Sequence, residues 1–85
     1  MKIDPYPLKR IVEVTWVDSN GCSKWAPLAD YMNNHHVAPC RTVGYLAKKD
    51  KHEILLINTQ SPVNDVDALQ GLAIPLGCVK KIRVV

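Results

Sequence analysis

Ile74-Pro75-Leu76-Gly77-Cys78-Val79-Lys80-Lys81-Ile82-Arg83-Val84-Val85 is the stretch on which the fold turns. A short apolar strand runs into Pro75, which cannot donate to a strand ladder and therefore suits a strand end or edge. Leu76-Gly77-Cys78 is too short for an α-helix and long enough for one 3₁₀ turn. After the turn, Lys and Arg interleave with Val and Ile, the pattern of a strand with one wet face. The chain therefore closes on two strands joined through a single tight turn.

Working back toward the N-terminus, Glu53 to Thr59 is almost continuously apolar through Ile54, Leu55, Leu56 and Ile57. Such a run suits a central strand covered on both faces. Lys49-Asp50-Lys51-His52 is a charged hairpin turn, and Cys40 to Lys48 is the strand before it. Lys9 to Val17 makes the first strand, with Val12, Val14 and Trp16 on one face and Glu13 and Thr15 alternating with them. Asp18-Ser19-Asn20-Gly21 is a turn, since Asn-Gly adopts positive φ at little cost. A short helix over Ala26 to Asn33 follows. Pro27 suits its first turn, Leu28, Tyr31 and Met32 share a face, and Trp25 stands at the entry. Residues 1–8 read as extended because Pro5 and Pro7 oppose helix.

Gln60 to Gln70, with Pro62, Asn64, Asp65 and Asp67, reads as a long polar loop. That leaves a short fourth strand, Gly71 to Ile74, and a fifth, Lys80 to Val85. Val12, Val14, Leu46, Leu56, Ile74 and Ile82 are expected to share one core. This inventory resembles the small SH3-like barrels. It implies an all-β domain spanning 1–85, with five strands, a short helix between the first two and a 3₁₀ turn before the last.

Composition narrows the class. Apolar residues make up 47% of the 85 and charged residues 22%, too apolar for a disordered chain. A net charge of +3 admits an anionic partner but is milder than the clustered basic footprint of a dedicated DNA binder. The N-terminal Met1 to Pro7 lacks the apolar core of a signal peptide, and no run approaches the ~20 residues of a membrane span. Cys22, Cys40 and Cys78 form an odd set without framework spacing, which fits reduced thiols in a cytoplasm.

Val12-Glu13-Val14-Thr15-Trp16-Val17-Asp18-Ser19, then Trp25 and Leu28, then Thr42-Val43-Gly44-Tyr45-Leu46, resembles a pattern in small phage and prophage proteins of unassigned function. Glu53 to Ile57 and Ile74 to Ile82 match its continuation, so the likeness covers residues 10–85. His35, His36 and Cys22 depart from it. The resemblance implies a viral origin and a host-cell cytoplasmic location, and it carries no activity with it.

Several residues could bear chemistry. Asp18 and Ser19 could fix polar groups at a pocket rim while Trp25 stacks a planar ring. The competing reading is the commoner one: Asp and Ser form turns with their own backbone, and the tryptophans are core in a chain without Phe. Gly44 inside a strand costs roughly 0.5–1 kcal/mol against Ala. It marks either a bend or a close approach of ligand to backbone, and in the second case Arg41, Thr42 and Tyr45 line the pocket. The histidines and cysteines lack the paired spacing of a structural zinc site. No motif identifies a nucleophile or an acid/base pair. No metal, cofactor or catalytic residue is therefore expected, and the chain is not expected to be an enzyme.

Two functional classes remain. One is an accessory binding protein of general likeness to the viral sponge proteins. It would sequester a nucleotide-derived bacterial immune signal, such as a cyclic dinucleotide or an ADP-ribose derivative, without catalysis. The other is a nucleic-acid or host-protein interaction module using Lys9-Arg10, Lys48-Lys49-Lys51 and Lys80-Lys81-Arg83, although edge-protecting lysines are the blander account of those charges. A homo-oligomer joined at the edge of the closing strand is expected in the first case.

Overall fold

A computed structural model of the chain describes residues 5–19, 25–34, 36–62 and 66–85. Along the chain run β1 (Ile11–Asp18), α1 (Leu28–Asn34), β2 (Ala38–Lys49), β3 (Glu53–Ser61), β4 (Asp67–Pro75), a 3₁₀ turn (Leu76–Cys78) and β5 (Val79–Val84). The strands form one antiparallel sheet in the order β4-β3-β2-β1-β5.

The sheet is open. β4 and β5 are its two edges, so hydrogen bonds do not close it into the barrel that the sequence led us to expect. Leu76 N–H donates to the His52 carbonyl at 2.9 Å, and β5 then departs to pair with β1 rather than with β4.

Although unclosed, the sheet curls. β2 pairs with β1 from Ala38 to Tyr45 and with β3 from Tyr45 to Lys49, so Tyr45 is the hand-over, facing Ile11 on one side and Ile57 on the other. A register shift between Leu46 and Lys48 lies just beyond, and such a bulge bends and twists a strand. As a result Val12 and Val14 of β1 meet Ile54 and Leu56 of β3 and Ile74 of β4 in one buried cluster. Leu46, Ile82, Trp16, Leu76, Cys78 and Val79 pack against it, half-buried. All six residues expected in the core are thus there, four buried and two at its margin. Cys78, a free thiol, is half-buried against the core, where it packs as a small apolar residue.

The segment read as a loop is mostly strand. β3 runs on to Ser61 and β4 starts at Asp67, paired from Ser61↔Asp67 through Thr59↔Leu69. Its polar side chains suggested a loop, but a two-stranded ribbon leaves both faces wet and lets Asn, Gln, Ser and Asp sit in extended backbone. Ribbons of this kind are marginal alone, and here Gln60 ties the ribbon to the N-terminal segment. Its side chain is buried, its Nε2–H donates to the Leu8 carbonyl at 2.8 Å, and its Oε1 accepts the Leu8 N–H at 3.0 Å. One amide replaces a rung of sheet. Gln60→Ala should cost about 1–3 kcal/mol by stranding two backbone groups of Leu8. A urea midpoint equal to that of the parent would show that the N-terminal segment is not held this way.

The charged turn is set by Asp50, whose Oδ1 accepts the N–H groups of His52 at 2.8 Å and Glu53 at 2.9 Å. Those two donors hold the carboxyl below its ordinary range. The helix begins two residues later than expected, with the Pro27 carbonyl accepting Asp30 N–H at 3.0 Å. Among the described residues, no helix is long and apolar enough to cross a membrane.

Candidate functional site

Period-two alternation along β2 divides the residues proposed for a ligand site. Thr42 and Gly44 face the concave side, opposite the buried Val14 and Val12. Arg41 and Tyr45 face the convex side, opposite Thr15 and Ile11. The structure therefore brings Thr42 and Gly44 together and sets Arg41 and Tyr45 apart from them.

At Gly44 the β3 backbone comes close. A Cβ placed there would lie 3.2 Å from the Ile57 carbonyl oxygen and 3.3 Å from Leu56 Cβ. The bend and the close approach are one feature, and the approaching backbone is the protein's own. Beside it opens a cleft of about 160 Å³ lined by Thr42, Val43, Gly44, Leu56, Ile57, Asn58, Gln70 and Leu72. Its walls are mostly apolar. Its polar groups are a hydroxyl and two amides, with no titratable side chain, so it can pack and hydrogen-bond but supplies no acid, base or charge.

Trp16 braces one end of this region. Its indole N–H donates to Thr42 Oγ1 at 3.0 Å while its ring packs on the core. That arrangement satisfies both the apolar body and the polar tip of the side chain. Gln70, at the other wall, holds φ at 54°, a conformation uncommon outside Gly, Asn and Asp. It lies in β4 opposite the stretch where β3 passes Gly44.

The remaining residues lie elsewhere. Asp18 Oδ1 accepts the Ser19 N–H at 2.8 Å, a local turn contact, and both residues are exposed. Along the ladder Asp18 is six residues from Val12, about 20 Å at strand rise from the rung opposite Gly44. Trp25 is fully exposed ahead of α1, which buries none of its residues. Tyr45 lines a shallow depression of about 380 Å³ with Tyr6, Asn58, Thr59 and Gln60. Arg41 borders another of about 320 Å³ with Thr15, Pro39 and Cys40. Arg41 Nε is 3.9 Å from Glu13 Oε1, and Arg83 Nη2 is 3.3 Å from Glu13 Oε2. Exposed pairs of this kind are weak, so both guanidinium groups can still meet an anion.

The residues that sequence reasoning missed, Asn58, Gln70, Leu72 and Tyr6, come from the end of the predicted third strand, from the stretch read as loop, from the short strand beside it and from the lead-in. Leu72 and Ile74 alternating two apart was the available signal, and it continues through Gln70. His36 Nε2–H donates to the Asn33 carbonyl at 3.1 Å. His35 and Cys22 lie outside the described residues, as does most of the turn after Ser19. Cys40 and Cys78 are free thiols, and among the described residues no three His, Cys, Asp or Glu side chains cluster as a metal site would require. Comparison of the chain with protein-family models, with curated proteins and with solved structures finds no match to any of them.

Proposed function

We propose that this chain is a small SH3-like barrel, unclosed between β4 and β5, that binds a nucleotide-derived ligand without catalysis and acts as a homo-oligomer. The strand order, the β2 strand shared between two halves of the sheet and the 3₁₀ turn before β5 support the barrel reading. The cleft beside Gly44 carries the ligand reading. At about 160 Å³ it suits one planar ring, since an apolar cavity of about 150 Å³ accepts benzene. Asn58 and Gln70 place amides on its rim, and such amides pair with base edges. No cation lines it, so the phosphates of the ligand face outward. The resemblance to small phage proteins directs the search to bacterial immune nucleotides in a host cytoplasm.

Calorimetry against cyclic di-GMP and ADP-ribose should detect binding to the parent chain. Asn58→Ala should weaken it by the roughly 1–3 kcal/mol that a base-edge amide contributes. Absence of binding to either probe overturns the nucleotide reading. A second reading rests on a separate observation: Lys81 and Arg83 of β5 and Arg41 of β2 flank Thr15 and Glu13 across three strands. Binding of a single-stranded oligonucleotide with steep salt dependence would favour that face and a nucleic-acid partner.

A further inference from the structure

β4 is an edge strand without the usual guards. It runs nine residues, longer than the usual ~5–6, and all of them but Ile74 are exposed. Natural edges carry lysines, bulges or prolines, or lie under a helix or loop, because bare strand edges pair with other chains. Asp67-Ala68-Leu69-Gln70-Gly71-Leu72-Ala73-Ile74-Pro75 holds no Lys or Arg, and its one charge and its proline stand at the two ends. Gln70 holds φ at 54°, yet the ladder to β3 keeps one register from Pro75 to Asp67, so no residue is inserted there. The opposite edge differs. β5 is shorter, carries Lys80, Lys81 and Arg83, and shifts register along β1 between Thr15 and Trp16. The closing strand, the edge first expected to join copies, is therefore the guarded one.

Hydrogen-bond alternation shows which backbone groups β4 presents to the outside. Leu76 N–H donates to the His52 carbonyl in continuation of the β3–β4 register, and antiparallel bonds recur at every second residue. Ala68, Leu72 and Ile74 accordingly turn their backbone groups toward β3. Leu69, Gly71 and Ala73 turn theirs outward, as does Pro75, whose missing N–H is harmless at an edge.

We infer that β4 pairs with β4 of a second copy, antiparallel about a two-fold axis, and joins two sheets into one. This names the seam of the homo-oligomer proposed above and rests on that part of the reading alone. The occupant is a second copy because the strand is complementary to itself. An axis at Gly71 sets Leu69 of each copy opposite Ala73 of the other, on the face where Ala73 adjoins Leu55 of β3. A large side chain meets a small one, and no side chain stands at the axis. Asp67 falls opposite Pro75, so like charges do not face each other. On the other face Leu72 of one copy comes beside Gln70 of the second copy, and both residues line the cleft at Gly44, so each cleft gains a neighbour across the seam. The ribbon of Thr59–Ser61 with Asp67–Leu69, marginal as two strands alone, gains strands on its open side. The pairing also closes. Both unguarded edges are consumed and the two charged β5 edges are left outside, so growth stops at two copies.

Sedimentation and amide exchange on the full chain test the seam. At micromolar concentration the chain should sediment as a dimer, and Leu69→Lys should raise its Kd about tenfold or more, the worth of one buried leucine. Leu69 is 61% exposed, so the unfolding midpoint of the dilute chain should not fall. In the dimer the amides of Leu69, Gly71 and Ala73 should exchange slowly, and they should speed up on dilution to monomer. Those of Ile82 and Val84 should exchange fast throughout, because Val85 N–H bonds the Ile11 carbonyl and the same alternation turns them outward from β5. A dimer that ignores Leu69→Lys, or whose Leu69, Gly71 and Ala73 amides exchange freely, overturns the seam and leaves the oligomer standing. Slow Ile82 and Val84 amides move the junction to β5 and overturn it too. Species that keep growing with concentration overturn the two-fold closure. A chain monomeric at every concentration removes the seam and the oligomeric part of the proposed function, while calorimetry decides the ligand reading separately.

Discussion

Leu56→Ala should lower the free energy of unfolding by about 2–5 kcal/mol, the range for truncating a buried leucine. Leu56 is 2% exposed and belongs to the cluster that joins β1, β3 and β4. Its neighbours in that cluster are Val12, Val14 and Ile54, in strands hydrogen-bonded on both sides, and Ile74, in the edge strand β4 paired along β3. They have little freedom to collapse into the space left behind, which argues for the upper half of the range. A chain of 85 residues has on the order of 4–13 kcal/mol to lose, so the variant should be visibly less populated when folded. Urea unfolding that shows under 1 kcal/mol of loss would mean that the curl bringing β3 over β1 does not exist in solution.

Gly44→Val should cost about 1–3 kcal/mol, the penalty for forcing extra atoms into a packed region. The first added carbon would already stand 3.2 Å from the Ile57 carbonyl oxygen and 3.3 Å from Leu56 Cβ. Valine adds two methyl groups to that contact. Against this runs the gain from replacing glycine in a strand, roughly 0.5–1 kcal/mol, so the sign depends on whether β3 can yield. It cannot yield freely, because Ile57 pairs with Tyr45 on one side and Gly71 on the other. The variant should therefore show a lower unfolding midpoint, with amide shifts concentrated at 56–58 and 70–72. Unchanged stability would mean that the close approach of the two strands does not set the bend.

Much of the fold was legible along the chain because it is local. Val12, Val14 and Trp16 alternate on one strand, Pro75 stops another, and Leu76-Gly77-Cys78 has room for one turn only. The Asp50 turn is equally local, for its carboxylate bonds the backbone two and three residues ahead. The ribbon was not legible. Its strands are polar on both faces, and what makes them strands is each other and the Gln60 amide on Leu8, a contact across 52 residues.

The candidate site divides in the same way. That Gly44 needs a reason follows from the cost of glycine in a strand, and sequence alone supplies it. That Thr42 and Gly44 share a cleft while Arg41 and Tyr45 look the other way also follows from a period of two, once β2 is known to be uninterrupted from Arg41 to Tyr45. The partners of Gly44 in that cleft, Asn58, Gln70 and Leu72, arrive from β3 and β4 only through curling of the sheet. The sequence by itself determined where β1, β2 and β5 run, the short helix and the residues of the core, because each depends on side chains two to four positions apart. Only the tertiary structure decided that the sheet stays open, that α1 fully buries none of its side chains and that a ring-sized cleft forms at Gly44. Each of these depends on where residues distant along the chain come to rest against one another.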